Sequence, residues 1–583
     1  MPTESVPGST GPRQRLLLYL ALVVLPVLSY APGLTSPRTY YDDPLYMDRI
    51  EYTMPGLDGL WSLWAGTRAW HGNFLEYFPL RDTVYWLIFQ GWEKVTLPYH
   101  LASLLFHIVA TVLVFKLVET VARSFWVGGA AGLLFAVHPI HIESVVWIAG
   151  LKDPMYTAFM LGSLLMYCHY LDHRKPGHYA GSLLLLVGAL LCKSMAISTP
   201  LIMLAMERGS NRPSPWKGTI ARLVGPGLIS ALFLGQFLLI GKLNFISSVP
   251  HQTTWVAHWV LTSWAQVAYV RQAIFPASFR LIYCFTPAES LSDPRFIAGV
   301  AMLAGVAALA WFWRRHPLRL FCLATYFACL LPVANLLPFP AVMADRYLYA
   351  ASVGVCFLFA LLLDAARPRL KNTVVALAVV ALALTTASRS YVWQDEEGLW
   401  AEADEDPACL TDPEFPAAQA HFLRYFTVKD PQTKLAALDR LLLTKGPTGD
   451  SHGLQCEGLL TGARLLKAAG RHDEAERRAQ LAVKPCIRHP KLWETVLTVT
   501  LHRNPAVAEV AARKWSRLEP SPQTNLLRVL TRLEVKDDPA LRDEAAAIVA
   551  KSPELTCQTL HDWSLGLDPK LMEAVAAAQA ACR

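Results

Sequence analysis

The chain has 583 residues, 53% hydrophobic and 17% charged, with a mean hydropathy of +0.30. Soluble domains carry about a quarter charged residues, and here the deficit is uneven: residues 1–394 hold 29 Lys/Arg and 18 Asp/Glu, while residues 395–583 hold 24 and 28. A membrane-embedded body followed by a soluble domain has that profile. It excludes a wholly soluble enzyme, a disordered chain and an outer-membrane barrel, and it makes the net +7 a composite of +11 and −4 rather than a nucleic-acid footprint.

Apolar runs near residues 16–31, 99–121, 125–137, 154–171, 180–192, 195–206, 219–241, 295–313, 318–337, 344–363 and 372–388 predict eleven spans. Several are short, so they must extend into polar flanks or pack inside a bundle. No small-x-small cleavage site follows the first, which reads as an uncleaved helix. A twelfth run at 255–275 contains His258, Gln266, Arg271 and Gln272. It is amphipathic, and lies at the interface or folds back into the protein.

With the N-terminus inside, the basic clusters at Arg13/Arg15, Arg123, Arg174/Lys175, Arg208–Arg222, Arg314–Arg319 and Arg367–Lys371 all fall on the cytoplasmic side. Lys152, Lys193 and Arg346 fall singly on the outer side. Residues 395–583 are then expected outside the cytoplasm.

The first outer loop, 32–98, holds eight of the body's acids, Asp42, Asp43, Asp48, Glu51, Asp58, Glu76, Asp82 and Glu93, and many aromatics, among them Trp61, Trp64, Trp70 and Tyr85-Trp86. Arg38-Thr-Tyr-Tyr-Asp42-Asp43-Pro44 sets two adjacent carboxylates close to the membrane surface. Such a pair can be solvated, can form a turn before Pro44, or can be catalytic. A transferase joining a lipid-phosphate sugar to a hydroxyl needs a base at headgroup height and cations for the departing phosphate. An acid in this loop and cations at outer helix ends meet both needs.

Four stretches then carry a resemblance. Phe135-Ala-Val-His138-Pro139-Ile-His141-Ile-Glu143-Ser-Val-Val-Trp147 with Leu151-Lys152-Asp153 resembles the HP-x-H-x-E-(S/A)-V-x-W … K-D signature of membrane proteins with attached tetratricopeptide repeats. Tyr41-Asp42-Asp43, Leu190-Leu-Cys-Lys193-Ser-Met-Ala-Ile-Ser-Thr-Pro200 and Met343-Ala-Asp345-Arg346-Tyr347-Leu348-Tyr349 agree in order and spacing. Together they resemble bacterial relatives of the TMTC family, within the GT-C glycosyltransferases that include the protein O-mannosyltransferases, over about residues 14–394. Ser194 departs from the family's usual Pro, and the Lys193 cation remains.

The resemblance implies an all-α, polytopic GT-C-type helix bundle of about eleven spans in a bacterial inner membrane. It also implies inverting transfer of a sugar, mannose by analogy, from a polyprenyl phosphate to a hydroxyl. No metal is obligatory, and the lipid-linked sugar is the donor substrate. By that analogy the Asp42/Asp43 pair supplies the general base, with Asp42 favoured.

His138-x-x-His141-x-Glu143 invites a metal reading, but Pro139 interrupts the helix and no i,i+4 histidine pair is present. A structural hydrogen-bonding role and contact with acceptor or donor both stay open, with Glu143 as a helper acid in the cavity. Lys152, Lys193 and Arg346 could each merely snorkel to the headgroups. Three cations on the face of the acid pair fit a phosphate pocket better, with Arg346 strongest because Arg holds phosphate bidentately. Asp345 can pair with a neighbouring cation. Trp255, Trp259 and Trp264 suit carbohydrate stacking and interfacial anchoring equally.

After Trp393-Gln-Asp-Glu-Glu-Gly-Leu-Trp400 the tail turns helical. Residues Leu459–Ala482, with Gly470 at the turn, resemble the core of a tetratricopeptide repeat, and more degenerate units surround them, so residues 395–583 are expected to form an extracytoplasmic α-solenoid. Peptide or protein capture and plain capping are equal readings of it. Cys409, Cys456, Cys486, Cys557 and Cys582 allow one or two disulfides. The competing class of function is a membrane scaffold or lipid-linked sugar transporter. A transporter should carry mid-span ionisable residues, whereas here the acids and outer cations gather at headgroup level.

Overall fold

The computed structural model describes residues 11–39, 41–66, 76–209, 215–243, 255–284, 290–336, 342–404, 421, 424, 427–443, 451–484, 486–487, 491–536, 538–564, 576–580 and 582. Trp70 and Cys409 lie outside the described residues. Among these residues every regular element is a helix, and the chain divides into two compact units, 1–412 and 413–583.

In the first unit a helix occupies each of the eleven apolar runs. Six are long and apolar enough to cross a membrane: Pro12–Thr35, Leu97–Ala122, Trp216–Ile240, Pro294–Arg315, Asp345–Leu363 and Pro368–Val392. Phe125–Ala136 and Pro139–Val146, bent by 50° at the break, count as a seventh if taken as one span. The bend falls where the sequence interrupts itself with His138-Pro139, since Pro cannot continue the backbone ladder. The protein is therefore an all-α membrane helix bundle. The other runs give helices that are shorter, such as Pro176–Leu190, or more polar, such as Lys152–His173, so eleven stands as the proposed count.

Many of these helices begin on proline at their first or second position, where the missing N–H costs nothing: Pro12, Pro79, Pro176, Pro294, Pro317 and Pro368. The helices Leu97–Ala122, Phe125–Ala136, Lys152–His173 and Leu348–Leu363 enclose the core, with Phe115, Leu134, Phe135, Tyr156, Leu164 and Phe357 buried between them. Gly354 lets Leu348–Leu363 meet Pro317–Leu330, because a Cβ there would lie 2.5 Å from the Cys322 carbonyl oxygen. The outer helices instead expose aliphatic faces, Leu228 and Leu232 on one, Leu377, Val380 and Leu384 on another, as helices facing lipid do. Trp255–Ile274 is amphipathic as expected: it packs one face on the protein, burying Val260 and Tyr269, with His258 Nε2 2.8 Å from the Asn335 carbonyl, and leaves Trp259 and Ile274 exposed on the other.

The first outer loop is built from Asp43–Met47, Ile50–Thr53, Asp58–Ala65 and Pro79–Trp92. A chain of charges ties it together, buried from Glu51 through Arg49, Asp82 and Arg81 and ending on the half-buried Glu76. Asp82 accepts from Arg49 Nη1 at 2.7 Å and from Arg81 Nε at 2.8 Å, and Arg81 Nη1 reaches Glu76 at 2.6 Å. Buried charges are tolerated only when partnered in this way.

The second unit is a succession of helices from Pro431–Leu443 to Ala576–Ala580, consecutive ones packed on one another. Gly470, at φ +74°, ends Ser451–Ala468 in a left-handed turn, with Arg471 N–H donating to the Leu466 carbonyl. The small residues Ala463, Ala475, Ala479 and Ala482 are buried where the next helix meets it. Cys456–Cys486 and Cys557–Cys582 form disulfides.

Candidate active site

The adjacent aspartates have different surroundings. Asp43 is fully buried. Its Oδ2 accepts from Thr39 N at 2.7 Å and Thr39 Oγ1 at 3.1 Å, and its Oδ1 from Ala149 N at 2.9 Å. Trp147 Nε1 donates to the same threonine hydroxyl at 3.0 Å, so Asp43 rivets the outer loop to the segment after the bent pair. Burial pushes its carboxyl up to about 7 against those hydrogen bonds. Asp42 stands at the N-cap of Asp43–Met47, where its carbonyl accepts from Leu45 N at 2.9 Å, but its carboxylate makes no cap and accepts no hydrogen bond among the described residues; the residue is half-buried. Burial raises its carboxyl above the usual range, the charges of Lys152 and Arg346 oppose that, and Glu76 adds to it.

The three outer cations converge on this region but are not equivalent. Arg346 donates through Nη1 to Glu143 Oε1, and its backbone N–H donates to Oε2 at 2.8 Å. Nε and Nη2 keep no hydrogen bond among the described residues, and the guanidinium lies 5.4 Å from the Trp147 ring centre. Lys193 is ion-paired with Asp153 at 2.6 Å, and burial pulls its ammonium down to about 8 in spite of that partner. Lys152 donates to the Tyr46 hydroxyl at 3.0 Å and has no carboxylate within ion-pair distance among the described residues. By uncompensated charge, Lys152 outranks Arg346, the reverse of what side-chain type suggests.

His138 and His141 are turned into the core. His138 Nδ1 accepts from Ile140 N at 3.3 Å, so its Nε2 carries the proton and donates to the Ala273 carbonyl at 3.1 Å. Ser352 Oγ gives its proton to the Tyr349 carbonyl and so accepts from His141 Nε2 at 2.8 Å. His107, Phe135 and Tyr349 pack around the His141 ring. Of the two roles the motif left open for the histidines, these contacts are the structural one. Glu143 instead grips Arg346 and lines a small cleft with Asp345, Phe279 and Trp393. Asp345 accepts from the Tyr283 hydroxyl at 2.7 Å rather than sitting in an ion pair with Arg346.

Two participants were missed in the sequence. Arg81 is fully buried, 5.0 Å from the ring centres of Tyr46 and Phe78, and holds Glu76. With Lys152 nearby, that pairing overcomes burial and keeps the Glu76 carboxyl at about 2. Tyr46 carries the Lys152 hydrogen bond and stacks on Tyr85 at 5.1 Å. The only signal in the sequence was an arginine inside an acid- and aromatic-rich loop. A half-buried carboxylate with no hydrogen bond, set among partly compensated cations, can accept a proton beside a place that favours a phosphate.

No family model matches the chain. It is similar to the protein O-mannosyl-transferase F38B6.6 of Caenorhabditis elegans, 24% identical over 436 residues, covering 68% of this chain and 59% of that protein. Similarity extends to the protein O-mannosyl-transferase Tmtc1 of Drosophila melanogaster, 30% over 33% of this chain and 23% of that protein, and to TMTC3 of Mus musculus, 24% over 58% and 42%. The chain thus spans at most 59% of the length of these relatives. Among solved structures, the archaeal oligosaccharyltransferase AglB from Archaeoglobus fulgidus, in complex with an inhibitory peptide and a dolichol-phosphate, matches with a TM-score of 0.37. The identity is 13%, over 77% of this chain and 64% of that one.

Proposed function

From the premise that its homologues are TMTC-type protein O-mannosyl-transferases, we propose that this chain is a membrane glycosyltransferase. It moves a sugar, mannose by that homology, from a polyprenyl phosphate to a protein Ser/Thr hydroxyl on the extracytoplasmic face. The second unit is the candidate for acceptor capture. The observation that carries the reading is the Asp42 carboxylate, without a hydrogen bond yet within the fields of Lys152 and Arg346.

Asp42 takes the acceptor's proton as its oxygen attacks the anomeric carbon. The bond from that carbon to the phosphate oxygen breaks, and the lipid phosphate leaves with the electron pair. Lys152 and the open edge of Arg346 meet its charge. Attack opposite the leaving group inverts the anomeric centre. Asp43 holds the loop in register, Glu143 aims Arg346, and Lys193 adds positive potential behind them. His138 and His141 act only through the packing they support.

The decisive comparison is D42N against D43N, assayed in membranes with labelled lipid donor and a hydroxyl-bearing peptide. D42N should transfer about 10²- to 10⁴-fold more slowly while remaining folded. Transfer by D42N at the parent rate would remove the catalytic assignment.

A further inference from the structure

We propose that Trp400, on the helix Glu396–Asp404 beyond the last apolar run, is a positioning residue for this transfer, setting Tyr41 and, through Tyr41 and Trp147, the geometry between Asp42 and Arg346. The inference rests on the transferase reading above.

Trp400 is fully buried, with its indole N–H donating to Glu396 Oε1 at 3.2 Å. Its ring meets Tyr41 edge to face, 5.8 Å between centres at 72°. Tyr41 in turn stacks on Trp147 at 5.4 Å and 17°, and the Arg346 guanidinium lies over Trp147. One continuous stack therefore runs from the segment after the membrane body to the cation proposed for the phosphate. Tyr41 is bonded through its own carbonyl to Asp42, so a backbone shift at Tyr41 that followed its ring would be passed to that carboxylate. The same stretch is fastened at its start: Gln394 Nε2 donates to the Pro32 carbonyl at 2.6 Å and to Thr35 Oγ1 at 3.0 Å. Trp393 and Leu399, also buried, line the cleft shared with Glu143.

Shape alone would not need an indole. An edge-to-face contact fixes the angle of the partner ring as well as its distance, which an aliphatic side chain of similar volume does not do. That difference separates a positioning role from simple filling.

The test uses the full chain in membranes, with labelled polyprenyl-phosphate sugar and a peptide acceptor, and compares W400F, W400L and W400A. W400L and W400A should lower kcat by about 10- to 100-fold with the KM for the lipid donor unchanged, while W400F keeps most of the parent kcat. Equal rates for W400L and W400F would overturn the role, as would a rise confined to KM. If W400A does not accumulate, the pair W400L and W400F still decides. A parent chain that transfers no sugar would instead remove the transferase reading, and this role with it.

Discussion

Asp42 and Asp43 are neighbours in sequence, and their oxygens lead different lives. Three donors saturate Asp43, two from Thr39 and one from Ala149, while Asp42 meets only charge at a distance. Replacing Asp43 by Asn turns an acceptor facing the Thr39 N–H into a donor, which should cost about 1–3 kcal/mol. D43N should therefore melt earlier in a thermal scan, and D42N should not. The adjacent pair was visible in the sequence, and the division of labour was not, because the deciding donor sits 106 residues further on.

The same electrostatics set a pH profile. Asp42 accepts a proton only when ionised, so kcat/KM should rise with pH through a value above the roughly 3.9 of free aspartate. It should fall again near 8 as Lys193 discharges. In K193R, whose guanidinium stays charged, the falling limb should move upward; an unmoved limb would assign it to another group.

At the scale of elements, apolar runs predicted helices well, since each of the eleven is occupied by one. Their limits followed local chemistry: proline at the start, a left-handed Arg123 or Arg174 at the end, His138-Pro139 at the bend. The helix Glu396–Asp404 was harder to place. Its acids made it read as the start of the soluble tail, yet Trp400 and Leu399 are buried within the first unit. Burial of two large apolar side chains outweighs a polar average, and composition windows see only the average. Over residues 395–583, five cysteines announced disulfides without naming pairs. Cys456–Cys486 spans 30 residues, and in the chain-entropy picture a loop of that length contributes roughly 3–4 kcal/mol. The double variant C456A/C486A should lower the unfolding temperature of the second unit by calorimetry and leave the helices of the first unit intact.

For the whole molecule, the uneven charge that divides the sequence also underlies its proposed orientation. Basic clusters alternate with the outer acids under the proposed sidedness, and the second unit, with its two disulfides, suits an oxidising compartment. A reporter fused to the C-terminus should read as extracytoplasmic, and a cytoplasmic signal would reverse the orientation. The unlike fates of Lys152, Lys193 and Arg346 lay beyond any count of charges, since each depends on a carboxylate or phenol brought from elsewhere in the chain.

Those distances in sequence have a consequence in time. The ribosome delivers Asp42 and Asp43 early, but the Ala149 N–H that secures the loop arrives 106 residues later, and Arg346 follows the Glu143 that aims it by 203. Trp400 comes later still. A nascent chain holding only its first helices therefore carries an acid with no cation to serve and a loop with no anchor. Under the proposed roles, synthesis order would keep the growing chain inactive until the last hydrophobic segment is inserted and the tryptophan behind it has docked.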